Sequence, residues 1–374
     1  MIITPILPKI GIELQTSKEQ LGYLVTVYAL MLGICALLVG PFSDKIGRRK
    51  ILLFGSFFMS LFLLMHSMAN TFLSLLLLRA ASGMAGGVLS GAAVAYVGDY
   101  FPYEKRGWAN GWVMSGIALG QIIGIPLGTF LAEELGFKFP FVIFGVVMFL
   151  NFFLILIFVP QPNVKLQKTK ITFTSTFVKY KNLLKNKDII AVAISYLLMF
   201  LSLSIFIIYL SSWLELEFNA TVSEIGWIFF AGGVMNLIAG PKAGKISDRL
   251  GRKKIIIWSC LGLAILMALT TILVVEFWIA FIVFPLAMLL IAMRISPFQA
   301  LSSELVKSNN RGTLMSLLVA IGNIGSGIAG AIAGPLFEFI GYFANTLFGT
   351  FTIILTAIIV WKYVPEPKLN ITIQ

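Results

Sequence analysis

Histidine is almost missing from this chain: its 374 residues hold one His, two Cys and 16 acidic residues. Cys35 and Cys260 each sit inside an apolar run. That placement argues against a disulfide framework or a cysteine metal cluster and leaves both as small apolar filler. With His66 as the single imidazole, neither a His-Glu metal pair nor a Ser-His constellation can be assembled. An enzyme is therefore disfavoured, and no metal or cofactor is expected. No phosphate-binding loop is visible, which removes ATP as the energy source. The start lacks a basic n-region with a following cleavage site, so no cleavable signal peptide is read. Charge of either sign is scarce, at 12% of residues.

What is present is apolar. Hydrophobic residues make up 59% of the chain and the mean hydropathy is +0.96. A soluble chain of this length could not bury that much apolar surface, so the bilayer is the solvent. The net charge of +12 is a matter of position: 23 of the 28 Lys and Arg fall in alternate loops and the C-terminal tail. Nine of the 16 acids fall in the opposite loops and at the N-terminal end. That asymmetry places the basic loops and the C-terminus in the cytoplasm of a multi-pass plasma or inner membrane protein. It reads as topology and attraction to anionic lipid, with no nucleic-acid partner.

Spans of about 20 apolar residues are expected. They fall at 21–42, 51–70, 72–98, 108–132, 139–160, 189–212, 224–246, 255–275, 277–303, 313–337 and 342–364, eleven in all. A twelfth is missing at the front, where residues 1–8 are apolar but too short to cross. Residues 161–188 hold seven lysines, too polar to span and too basic for the outer face. They form a cytoplasmic linker, with Phe173, Phe177 and Tyr180 interleaved as in a surface amphipathic helix. Three domains follow: 1–160, the linker 161–188, and 189–374.

The two large parts are copies. Gly40, Asp44, Gly47 and Arg48, followed by Arg49 and Lys50, are repeated as Gly244, Asp248, Gly251 and Arg252, followed by Lys253 and Lys254, at an offset of 204. Ser17 with Gln20 recurs as Thr221 with Glu224 at the same offset, each opening a helix as a capping box. Shifting 189–212 back by 204 starts its counterpart before Met1. The first helix is thus expected to have lost most of its length, to a truncated chain or a misassigned start codon, rather than to be a genuine half-helix.

The repeated motif, a Gly, then Asp, a basic residue, Gly and two basic residues between the second and third spans, resembles the signature loop of the major facilitator superfamily. The resemblance covers essentially the whole chain and is closest to the drug/proton antiporter branch. It implies an all-α membrane fold of two pseudo-symmetric six-helix bundles, here with about 11 full spans. In that family such a cluster forms a cytoplasmic gate that holds the outward-facing state and breaks as the halves rock apart. The implied gate residues are Gly40, Asp44, Gly47, Arg48, Asp99 and Arg106, then Asp248, Gly251, Arg252, Glu304 and Arg311. Gly47 and Gly251 supply turn geometry that other residues resist. Arg49, Lys50, Lys253 and Lys254 read as snorkelling anchors.

Arg79, followed by Ser82, Gly83 and Gly86, resembles the family's fourth-helix motif, with Ser82 where many relatives have Gln. The resemblance turns Arg79 toward a central cavity; the competing reading is a structural helix-to-helix hydrogen bond. Arg79 and Arg294 are the two charges well inside spans, where a charge costs several kcal/mol. Gly111, Gly120, Gly124, Pro126 and Gly128 partly match the glycine-proline motif of antiporters. Glycines on one face would let helices approach, and Pro126 would bend the fifth helix. Gly322, Gly325, Gly327, Gly330 and Gly334 do similar work in the second half. Cavity candidates are Tyr28, Arg79, Ser82, Gln121, Tyr196, Arg294 and Gln299, with Asn110, Asn151, Asn236 and Asn323 as further polar groups within spans. His66 lies near an external helix end, where a solvated or interfacial place outweighs a proton relay.

No Asp or Glu lies deep in a visible span. The leading expectation is a monomeric secondary transporter working by alternating access, expelling a small amphipathic compound against protons. A sugar or metabolite exporter or facilitator without coupling is the second reading. A non-transporting membrane sensor or a defective remnant is the third.

Overall fold

Capping chemistry sets where the long helices begin. The computed structural model describes residues 3–101, 113, 116, 119–162, 178, 180–306 and 308–366. A short helix α1 (Ile3–Glu13) opens the chain, followed by α2 (Lys18–Ile46), whose N-cap Ser17 accepts from the Gln20 N–H. Then come α3 (Arg48–Met65), α4 (Phe72–Tyr100), α5 (Ile125–Leu135) and α6 (Lys138–Phe158). The second half runs α7 (Lys187–Ile208), α8 (Leu210–Phe218), α9 (Val222–Leu250) and α10 (Arg252–Leu273). It ends with α11 (Ala280–Glu304), α12 (Ser308–Phe339) and α13 (Tyr342–Tyr363). Thr221 opens α9 with the full capping box, its side chain accepting from Glu224 N–H while the Glu224 carboxylate accepts from Thr221 N–H at 2.8 Å.

Among the described residues ten segments are long and apolar enough to cross a membrane. Of the expected span 108–132, residues 108–112, 114, 115, 117 and 118 lie outside the described residues. Helices α2, α9 and α12 run up to about a turn past the expected spans, because the basic and capping residues at their ends continue the same backbone hydrogen bonding, whereas α3, α6, α10 and α13 end one to five residues short of theirs. The sixth expected span is broken at Tyr209, which separates α7 from α8. Helix α1 is about 16 Å long at 1.5 Å per residue, half of a hydrocarbon core. Its Ile6, Leu7 and Ile10 are fully buried, and it packs on α2, α5, α8 and α9.

The repeat is visible in the backbone. Helices α2 and α9 begin and end 204 positions apart, and so do the residues Gln15 and Asn219, with φ of 49° and 52°. Within the first half α2 packs on α4, and α3 on α4 and α6; within the second α9 packs on α11, and α10 on α11 and α13. Besides the contacts of α1, two seams of long helices join the halves, α2 against α12 and α5 against α9. Outward faces carry side chains such as Trp258, Ile265, Ile272, Phe351 and Trp361, each more than half exposed. An apolar belt of this extent is stable only against lipid.

Candidate functional site

Two tight turns carry the repeated basic motif. Gly47 ends α2 at φ 102°, ψ 139°, and Gly251 ends α9 at φ 98°, ψ 130°, a region essentially open to glycine alone. Each turn is tied to the far end of its own bundle. The Arg49 N–H donates to Gln161 Oε1 at 3.1 Å and its guanidinium to the Leu156 carbonyl at 2.6 Å. In the copy, the Lys253 N–H donates to Glu366 Oε1 at 3.2 Å and its ammonium to the Val364 carbonyl at 2.9 Å. Arg49 and Lys253 are therefore ties between helices, not only lipid anchors. The basic residue just before each forms an ion pair: Arg48 with Asp99 at 2.6 Å, Arg252 with Glu304 at 2.5 Å. Each pair lies inside one bundle, so tilting one bundle against the other leaves it intact. The gate expectation that needs contact between bundles rests on Asp44 and Asp248, whose side chains lie outside the described residues. Arg106 lies outside them too; Gly40 is in α2 and Arg311 is exposed in α12.

The seams between bundles are closed at the end where α2 and α9 begin. On α2 against α12, a Cβ on Gly22 would strike the Gly330 carbonyl oxygen, and one on Gly334 would lie 2.5 Å from the Glu19 carbonyl. A Cβ on Gly33 would still lie 3.0 Å from the Ala320 carbonyl. On α5 against α9, a Cβ on Gly226 would strike the Thr129 hydroxyl. Polar bonds reinforce this end: the Tyr209 hydroxyl donates to the Lys18 carbonyl at 2.5 Å, and the Ser223 N–H donates to Glu133 Oε2 at 2.7 Å. Toward the basic turns the packing thins. A Cβ on Gly116, Gly120 or Gly240 would meet nothing within 4 Å, and Leu119, Ile123, Leu237 and Ile238 are exposed. The bundles thus form a V, shut at one end and parted toward the basic loops.

The buried charges sit in separate bundles. Arg79 of α4 is 5% exposed; its Nε donates to the Leu24 carbonyl of α2 at 3.3 Å, and its guanidinium lies 4.1 Å from the Tyr28 ring centre. Ser82 donates back to the Arg79 carbonyl at 3.1 Å. Arg79, Tyr28 and Ser82 therefore come together, as a helix-to-helix tie within the first bundle. Arg294 is fully buried, none of its three nitrogens has a hydrogen-bond partner among the described residues, and its electrostatic neighbour is Cys260 of α10. Tyr196 and Gln299 form a third group, close to each other, with Tyr196 packed on Phe200 and Phe298. The seven cavity candidates thus fall into separate groups, with the Gln121 side chain outside the described residues.

Comparison with known proteins decides what this architecture is. The family model described as Major Facilitator Superfamily matches residues 1–211 and again 192–372. The chain belongs to the major facilitator superfamily. Its double match falls on the two halves of the repeat. The uncharacterized MFS-type transporter YceJ of Bacillus subtilis (strain 168) is 26% identical over 355 residues, covering 90% of this chain and 85% of that one. The multidrug resistance protein MdtG of Proteus mirabilis (strain HI4320) is 28% identical over 292 residues, covering 74% of this chain and 70% of that protein. Among solved structures, a D-xylose-proton symporter aligns with a TM-score of 0.79 at 18% identity, covering 98% of this chain and 94% of that one. A bacterial homologue of the lysosomal transporter Spinster, inward-facing and unoccupied, aligns at 0.69 and 17%, covering 96% and 90%. Family and fold are those of transporters.

Within this superfamily member, two expectations need correction. The glycines of the fifth helix do not bring helices together: Gly120 has open space, and a Cβ on Gly124 would meet only the Phe144 ring at 3.7 Å. Residues Gly120–Gly124 instead form a π-helical turn. Pro126, which lacks an N–H, follows it at the start of α5, where an unpaired carbonyl favours the wider turn. Gly128 is buried in α5, and Gly111 lies outside the described residues. The close approach falls in the second half, where Gly322, Gly327, Gly330 and Gly334 face Tyr196, Leu30, Thr26 and Glu19. Second, His66 is not solvated: it is fully buried, stacked on Phe141 at 4.4 Å, with Nδ1 2.7 Å from the Phe62 carbonyl. The turn after α3 folds it beneath α6, a placement its own segment does not encode. Glu133, Tyr209, Gln161 and Glu366 carried no local signal, because each acts on a partner at least 90 residues away.

Proposed function

We propose that the protein is a secondary active transporter that expels small amphipathic compounds in exchange for protons by alternating access. The observation that carries this reading is the V between the bundles, closed where α2 and α9 begin and open toward the basic loops. With the basic loops in the cytoplasm, as their charge dictates, the structure is the inward-open state of the cycle. The relatives named multidrug resistance protein support efflux of amphipathic compounds. The substrate route is the cleft between α2, α5, α9 and α12, with Tyr196 and Gln299 near its wall. Asp44 and Asp248 close the cytoplasmic end in the opposite state.

Purified protein in proteoliposomes, under an imposed proton gradient, tests the reading. Gradient-dependent movement of a fluorescent lipophilic cation is expected, and a gradient without effect overturns it. Asp44→Asn transporting at the wild-type rate removes Asp44 from the gate; Arg79→Ala doing so leaves Arg79 a structural tie. A sugar or metabolite facilitator is the second reading, favoured by the lack of a carboxylate deep in any span among the described residues. It predicts flux that is indifferent to the proton gradient.

A further inference from the structure

A cavity of about 410 Å³ lies at the sealed end, between the start of α2, helix α8 and the turn that joins α12 to α13. That is within the size range of small-molecule sites. Trp213, Phe337, Tyr342 and Phe343 give it aromatic walls. One charge of each sign also lines it, Lys18 from the first bundle and Glu217 from the second. Neither is neutralised by the protein. Among the described residues the Lys18 ammonium makes no hydrogen bond or ion pair and lies 5.9 Å from the Phe337 ring centre. The Glu217 carboxylate accepts no hydrogen bond among them either. Glu215, half-buried on α8, is near enough to Lys18 to feel its charge but forms no pair with it.

The repeat shows that the fold does not require such a cavity. Trp213, Phe337 and Tyr342 stand 204 positions after Lys9, Glu133 and Lys138. In the first bundle those charged groups are engaged by the protein itself. Lys9 donates to the Glu133 carbonyl at 3.3 Å, the Glu133 carboxylate accepts from the Ser223 N–H at 2.7 Å, and Lys138 donates to Asn70 at 2.5 Å. In the second, aromatic side chains replace all three, and Lys18 and Glu217 are left lining a space.

We propose that this cavity binds the headgroup of a zwitterionic phospholipid of the outer leaflet, with the phosphate on Lys18 and the ammonium on Glu217. Charge selects the class. An anionic headgroup would satisfy Lys18 and be repelled by Glu217 and Glu215, and a simple cation would meet Lys18 already lying against Phe337. A molecule that carries both charges a few bonds apart answers both, each through a charge-assisted hydrogen bond. The start of α2 strengthens the anion end, since the first N–H groups of a helix and the positive end of its dipole favour phosphate. Position selects the source. With the basic loops in the cytoplasm, the sealed end lies at the outer face. Leu216 and Ile340 on the rim are more than half exposed, on apolar surface that faces lipid, and give the acyl chains a path. Tyr and Trp, here Tyr342 and Trp213, are the residues enriched at headgroup depth. Because Lys18 and Glu217 belong to different bundles, a bound headgroup spans the seam and holds this end shut. The site stands apart from whatever the protein transports.

The test counts the lipid. Protein is extracted from vesicles of equal parts phosphatidylethanolamine and phosphatidylglycerol, and the lipids that stay bound through detergent washing are identified by native mass spectrometry. Wild type is expected to keep phosphatidylethanolamine over phosphatidylglycerol by about fivefold or more, the worth of one charge-assisted hydrogen bond. Glu217→Gln should abolish that preference. Lys18→Gln should lower retention of both lipids by a similar factor, and Lys18→Arg should restore it, a pattern that a merely structural role would not give. Both side chains are exposed, so these variants leave the packing of the sealed end in place. Equal retention of the two lipids by wild type overturns the proposal, and so does a preference that survives Glu217→Gln. Soluble glycerophosphoethanolamine that displaces the bound lipid at equal concentration overturns the lipid as the source.

Discussion

Arg48 Nε lies 2.6 Å from Asp99 Oδ2, and the copy of this pair, Arg252 with Glu304, is closed at 2.5 Å by an acid displaced one position along its helix. The extra methylene of glutamate makes up for that displacement. The pairs tie the turn after α2 to the end of α4 and the turn after α9 to the end of α11. With side chains 12% and 26% exposed, the Arg48–Asp99 pair is screened only in part. Arg48→Ala and Asp99→Ala should each cost about 1 kcal/mol, with a coupling energy of similar size in the double variant. Unfolding in detergent micelles measures this, and additive effects would show that the pair contributes nothing.

Gly47→Ala and Gly251→Ala should each destabilise by about 1–3 kcal/mol, because both backbones occupy a region that a Cβ resists. Gly47 should be the more sensitive. Its Cβ would lie 2.9 Å from Gln161 Oε1, against 3.1 Å from Glu366 Oε1 at Gly251. Thermal unfolding of the two variants side by side decides the order.

The closed seam predicts a conformational rather than a stability defect. Gly22→Val and Gly330→Val place methyl groups where backbones touch, so the sealed end can no longer close. Transport should fall by more than about tenfold, the loss of a state needed in every cycle. Tyr209→Phe removes one hydrogen bond, to the Lys18 carbonyl, and should cost about 1 kcal/mol, a shift of about fivefold toward the open seam. Spin-label distances across α2 and α12 read both effects, and unchanged distances in Gly330→Val would refute the seam.

Arg294→Met should raise thermal stability. The guanidinium is fully buried and has no hydrogen-bond partner among the described residues, so an apolar chain of similar length removes an uncompensated desolvation cost. A lower melting temperature would mean that Arg294 is held by a partner, and unchanged flux would remove it from the transport route.

Much of the fold was legible because it is local. Hydropathy places the spans, the capping residues Ser17 and Thr221 mark helix starts, and the repeat of 204 pairs the halves. The positive-φ glycines were legible for the same reason, since Gly47 and Gly251 sit in turns their neighbours define. His66 was misjudged because its burial depends on Phe141, on another helix. The fifth-helix glycines were misjudged because spacing cannot tell a packing face from an open one.

Chain order and side-chain chemistry by themselves determined that this is a duplicated bundle of membrane helices with basic turns on one side. Those properties follow from transferring each segment from water to lipid, which is a sum over near neighbours. Only the tertiary structure decided which end is shut, that Glu133 caps a helix of the opposite bundle, and that Arg79 and Arg294 lie in different bundles. Such contacts join residues far apart in the chain, and their distances are set by how whole helices pack.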